Sequence, residues 1–149
     1  MKDPYLKPVI FGGLFITLLA IIFPLGMFLW AIVGGYVAVR IAAKTTKEII
    51  AFIDSVLIGV FAGVVGGVCI DLLMVVSFSS AENQKSLITM LEKNWPKDVQ
   101  PVPNLIEILP KVFITTSIFI LFICVLFSVI GGCIGMFVTN KKNKTKVSV

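Results

Sequence analysis

Between Asp54 and Asp71 the chain carries no charge, and within that stretch a small residue returns at every fourth position: Ser55, Gly59, Gly63 and Gly67. The next step lands on the carboxylate of Asp71. On a helix of about 3.6 residues per turn these positions share one slowly drifting face. A face without large side chains admits a neighbouring backbone at close range. The intervening residues are mostly Val, Ile, Leu and Phe. The pattern predicts a helix packed among other helices in a membrane.

Composition points the same way. Of 149 residues, 58% are hydrophobic and 14% charged, with a mean hydropathy of +1.04. A soluble domain of this size cannot hide so much apolar surface, whereas a bilayer accepts it. The apolar run after Lys2 and Lys7 meets no small-x-small cleavage pattern, so no cleaved leader is expected. The net charge of +5 is topological. Nine of the thirteen basic residues flank apolar segments at one predicted side: Lys2 and Lys7, then Arg40, Lys44 and Lys47, then Lys141, Lys142, Lys144 and Lys146. They form no repeated aromatic-basic pattern, so nucleic acid is not an expected partner. Cys69, Cys124 and Cys133 lie in apolar sequence, and the chain has no His. Their spacing fits no metal template, and they read as small buried hydrophobes.

The predicted fold is all-α, a single membrane domain over residues 1–149 with four transmembrane helices. Its spans cover about 8–23, 27–43, 49–78 and 112–138, the first two as a hairpin around Pro24-Leu25-Gly26. A crossing needs roughly 20 apolar residues, so the first two spans are short and the last two tilt or project. Residues 8–39 also admit one kinked, tilted helix or a re-entrant loop. Four spans place the N-terminus, the 40–48 loop and the basic tail at 139–149 in the cytoplasm, whereas three would expose Lys2 and Lys7 outside, against the positive-inside rule. The outer loop, about 79–111, carries Leu87, Ile88, Met90, Leu91 and Trp95 at helical spacing, which predicts a short amphipathic helix over 80–95. Pro96, Pro101, Pro103 and Pro110 then predict an extended strap. The loop reads equally as a solvated connection or as a cap for a partner or a cavity.

Further small faces occur on the second span (Ala31, Gly35, Ala38 and Ala42) and on the fourth (Cys124, Ser128, Gly132 and Gly135). They suit packing within the chain, packing on another subunit, or a pore lining. Asp54 is expected to pair at the cytoplasmic interface with Arg40, Lys44 or Lys47. Asp71 lies about 25 Å of helix rise further on, still followed by apolar residues. An intramembrane carboxylate is a candidate functional group. Pairing with Lys111, pairing with another subunit, and coupling to a cation or proton are the three readings.

Gly12-Gly13-Leu14, Pro24, the run Trp30-Ala31-Ile32-Val33-Gly34-Gly35, Asp54 before Gly59, Ala62-Gly63 and Gly66-Gly67 together resemble a loose class of small glycine-rich four-span membrane proteins of bacteria and archaea. The resemblance covers less than half of the chain and does not reach the outer loop. It implies a four-span topology, in keeping with a prokaryotic inner membrane, and implies no activity.

Catalysis has little to stand on: there is no His, no nucleophile beside a base, and no phosphate-binding glycine loop. Neither an enzyme, a cofactor nor a metal site is expected. The expected partners are the lipid bilayer and other membrane subunits. The favoured role is a non-catalytic subunit or assembly factor of a larger membrane complex. The rival is a homo-oligomeric ion channel or transporter using Asp71.

Overall fold

The computed structural model describes residues 4–46, 49–94 and 105–147, and their regular structure is entirely helical. Helix α1 (Leu6–Ile22) passes through a 3-10 turn at Pro24–Gly26 into α2 (Met27–Thr46). After α3 (Phe52–Phe78) and α4 (Ala81–Asn94) the described chain ends in α5 (Leu105–Val147). Pro24–Thr46, Phe52–Phe78 and Pro110–Lys141 are each long and apolar enough to cross a membrane. The 17 residues of α1 rise about 26 Å, slightly less than the ~30 Å hydrocarbon core.

The element boundaries have local causes. Pro8 is tolerated because it falls in the first turn of α1, where backbone N–H groups have no intrahelical partner. At the α1–α2 corner, Trp30 Nε1 donates to the Phe23 carbonyl at 2.9 Å. A Cβ on Gly26 would lie 2.7 Å from that nitrogen, so the corner requires glycine. At the far end of α3, the side-chain amides of Asn83 and Gln84 donate to the carbonyls of Ser77 and Phe78, groups that a helix end leaves open. The amphipathic segment forms α4, with Leu87 and Ile88 half-buried; Trp95 lies outside the described residues.

One expectation is corrected. Pro110 does not belong to an extended strap but sits inside α5, whose helix begins five residues earlier. So close to the start of the helix, the ring disrupts little beyond the bond to the Ile106 carbonyl. Pro96, Pro101 and Pro103 lie outside the described residues. Helix α5 also runs on through the described part of the basic tail, to Val147.

Contacts between helices give their directions. Gly12 meets Ala62 and Gly13 meets Val65 and Gly66, so α1 runs parallel to α3. Gly59, Gly63 and Gly67 meet Val129, Val125 and Leu121, so α5 runs antiparallel to α3. Gly35 meets Ser128 while Val39 meets Gly132, which makes α2 and α5 parallel. The start of α1, the end of α2, the start of α3 and the C-terminal part of α5 therefore share one end of the bundle. The core at that end is built mainly from small residues, with Ala38, Ala42 and Ala62 fully buried beside Val39, Ile58 and Met136. Nearer the other end Ile16, Ile120 and Cys124 pack together, and beyond them Phe78 and Phe113 join α3 to α5 edge to face at 4.6 Å.

Thr17 ties α1 to α3. Its hydroxyl lies 3.1 Å from the Gly13 carbonyl and 3.3 Å from the Gly66 carbonyl. Thr17→Val keeps the shape and removes the donor. It should lower unfolding stability in detergent by about 0.6 kcal/mol, the average for such interhelical bonds in a membrane protein, as read by a denaturant titration.

Candidate functional site

The stripe that opens the sequence argument is buried on α5. A Cβ added at Gly63 would stand 2.6 Å from Val125 Cα and 2.7 Å from the Cys124 carbonyl oxygen. At Gly59 it would stand 2.9 Å from both the Ser128 carbonyl oxygen and Val129 Cα, and at Gly67 3.2 Å from Leu121 Cα. Ser55 completes the stripe with no exposed surface; its Oγ donates to the Phe52 carbonyl at 2.7 Å and lies against the Met136 sulfur.

The other small faces close the same bundle. Gly35 on α2 abuts the backbone of Ser128, and Gly131 abuts the backbone of Ile32. Gly132 approaches the Ser55 carbonyl and Gly135 the Tyr36 carbonyl, at 2.7 and 3.1 Å from their would-be Cβ positions. Ala31 and Ala38 are fully buried, and Ala38 also touches Gly12. Ser128 sits where α2, α3 and α5 meet, and its buried hydroxyl has no hydrogen-bond partner. Of the three readings of these faces, packing within the chain is the one the contacts fit.

The charged positions depart further from expectation. Asp54, in the first turn of α3, is half-buried, while Arg40 and Lys44 are exposed. Among the described residues no ion pair joins them; Lys47 lies outside that set. Asp71 is half-buried on α3, with its Oδ1 enclosed and without a partner. Its side-chain neighbour is Ser117 of α5, in hydrogen-bonding position. No ion pair with Lys111 forms, and the register explains why. The pairing of Gly63 with Val125 and Gly67 with Leu121 sets Asp71 opposite Ser117. Lys111 lies six residues further along, about 9 Å by helix rise, with its side chain exposed.

Cys69 and Cys133 are half-buried and Cys124 is buried, all as free thiols. Among the described residues no three metal-ligating side chains converge. Compared with known proteins, the chain matches no family model, no curated protein and no solved structure.

Three features were not singled out from sequence. Ser117 beside Asp71 depends on the α3–α5 register, which residue types do not encode locally. The fit of Ile16 between Gly34 and Gly66 had a faint signal in the paired glycines. An open groove between α1 and α3, lined by Asp54 and the apolar residues around it, had none.

Proposed function

We propose that this chain is a four-span, non-catalytic subunit or stabilising factor of a larger assembly in a prokaryotic inner membrane, with both termini cytoplasmic. The four-span reading draws support from α1 lying alongside α3 in parallel register. The basic residues described at the shared end (Lys7, Arg40, Lys44 and Lys141, all exposed) support its cytoplasmic placement.

The observation that carries the assembly reading is Asp71. A carboxylate at membrane depth that is only half-buried within the chain is costly unless a partner supplies a donor to its accessible side. Lys111 does not supply it, and Ser117 has a single hydroxyl to give. The partner that fits is a transmembrane helix presenting Lys, Arg, Asn or Gln at that depth. With the glycine faces closed inside the chain, this polar position and the α4 segment are the surfaces assigned to such contacts.

The test is gentle detergent extraction followed by native electrophoresis of wild type, Asp71→Asn and Asp71→Leu. Asp71→Leu should shift the chain out of its assembly with at least about a tenfold loss of association, within the range for interhelical polar contacts. An assembly that survives both substitutions would overturn the reading. So would an Asp71-dependent cation current carried by the purified chain alone in vesicles, which is the channel alternative.

A further inference from the structure

We propose that the groove between α1 and α3 binds one phospholipid with a primary-ammonium headgroup, its acyl chain between the helices and its ammonium on Asp54. The groove holds about 490 Å³ and opens to the side. Its α3 wall runs from Asp54 through Leu57 and Phe61 to Val65, about 16 Å at 1.5 Å per residue. Val9 and Leu6 face it from α1. Apolar cavities of roughly 150 Å³ stay dry and take a molecule the size of benzene. A groove three times larger, long and apolar, suits a flexible hydrocarbon chain.

The headgroup follows from charge. Asp54 is the acidic side chain of the lining, at the end of the groove that coincides with the start of α3. It is half-buried, and among the described residues it forms no ion pair with Arg40 or Lys44, whose side chains are exposed. Lys7, Arg40, Lys44 and Lys141 are exposed at the same end but do not line the groove, so within it the carboxylate sets the sign and disfavours a net-anionic headgroup. A primary ammonium gives it a charge-assisted N–H···O bond; a quaternary ammonium brings the charge without the donor. Phosphatidylethanolamine therefore fits better than phosphatidylcholine, and phosphatidylglycerol fits worst. This rests on the membrane reading above but not on the subunit role.

The experiment is native mass spectrometry of the full chain in mild detergent. The chain is incubated with equimolar phosphatidylethanolamine, phosphatidylcholine and phosphatidylglycerol of identical acyl chains. One lipid should be retained per chain, with phosphatidylethanolamine exceeding phosphatidylglycerol about tenfold and phosphatidylcholine severalfold. Asp54→Asn should erase the headgroup preference while lipid is still retained, and Asp54→Glu should keep the preference. Val64→Trp, which fills the groove, should abolish retention of all three lipids. If that variant does not fold, Leu57→Trp at a more exposed wall position serves in its place.

Equal retention of the three lipids, a preference unchanged in Asp54→Asn, or retention unchanged by the filling variant would overturn the proposal. So would a lipid-free dimer that Val64→Trp dissociates, which would make a second copy the occupant. A chain recovered without detergent would remove the membrane reading as well; a detergent-bound chain lacking the preference removes only this one.

Discussion

Gly63→Leu is expected to destabilise the folded bundle severely. The first added carbon would stand 2.6 Å from Val125 Cα, and the obstacle is backbone, which cannot rotate aside as a side chain can. To reach ordinary contact the helices must separate by roughly an ångström, and the rest of the leucine needs more. Separation at Gly63 opens the seam at Gly59 and Gly67 and forfeits dispersion contacts on both helices. Overpacking ordinarily costs about 1–3 kcal/mol; with backbone on both sides the loss should reach about 3 kcal/mol or more. That is a large fraction of a typical stability of about 5–15 kcal/mol. Thermal unfolding in detergent, followed by circular dichroism, measures it. The graded control is alanine: Gly63→Ala should be strongly destabilising. Gly67→Ala, whose Cβ would sit 3.2 Å from Leu121 Cα, needs a shift of only a few tenths of an ångström and should be mild. Val68→Leu, on a face that is 42% exposed, should be neutral. A Gly63→Leu variant with wild-type melting would refute the seam.

Gly63 also shows what the sequence exposes and what it hides. Residues spaced by four on an uncharged run announce a close-packed helix face, because only small residues let backbones meet, and the spacing is local. Which helix fills the face is not local. The stripe fits a second copy or another subunit as well as α5, and the choice depends on how all the small faces satisfy one another at once. Gly35, Gly59 and Gly132 converge around Ser128 and Ser55, so the faces close within the chain. The pairing of Asp71 with Lys111 failed for the same reason. Sequence puts Lys111 beside Asp71 because the end of the third span and the start of the fourth lie at the same membrane face. The α3–α5 register, set by the contacts of Gly63 with Val125 and of Gly67 with Leu121, placed Ser117 there instead. Proline misled in another way: Pro110 was weighed as a helix breaker without regard to how few residues precede it in α5.

Orientation gives the other large expected effect, since each labelled position should read nearly all or nothing. In a background with Cys69, Cys124 and Cys133 replaced by Ala, single cysteines at Pro4, Lys93 and Thr145 are probed on intact cells with a membrane-impermeant maleimide. Lys93→Cys, in the last turn of α4, should label from outside. Pro4→Cys and Thr145→Cys should label only after permeabilisation. Two independent constraints lead there. Nine of the thirteen basic residues lie in the segments assigned inside, and translocating them opposes the positive-inside rule. The parallel contacts of Gly12 with Ala62 and of Gly13 with Gly66 bring the start of α1 to the same end as the start of α3. The short α1 can still cross if the bilayer thins locally or Lys7 reaches back to the interface. Labelling of Pro4→Cys from outside, with Thr145→Cys protected, would require an odd number of crossings. The hairpin at Pro24–Gly26 could not then be a spanning one, and α1 would have to reach α3 as a re-entrant segment.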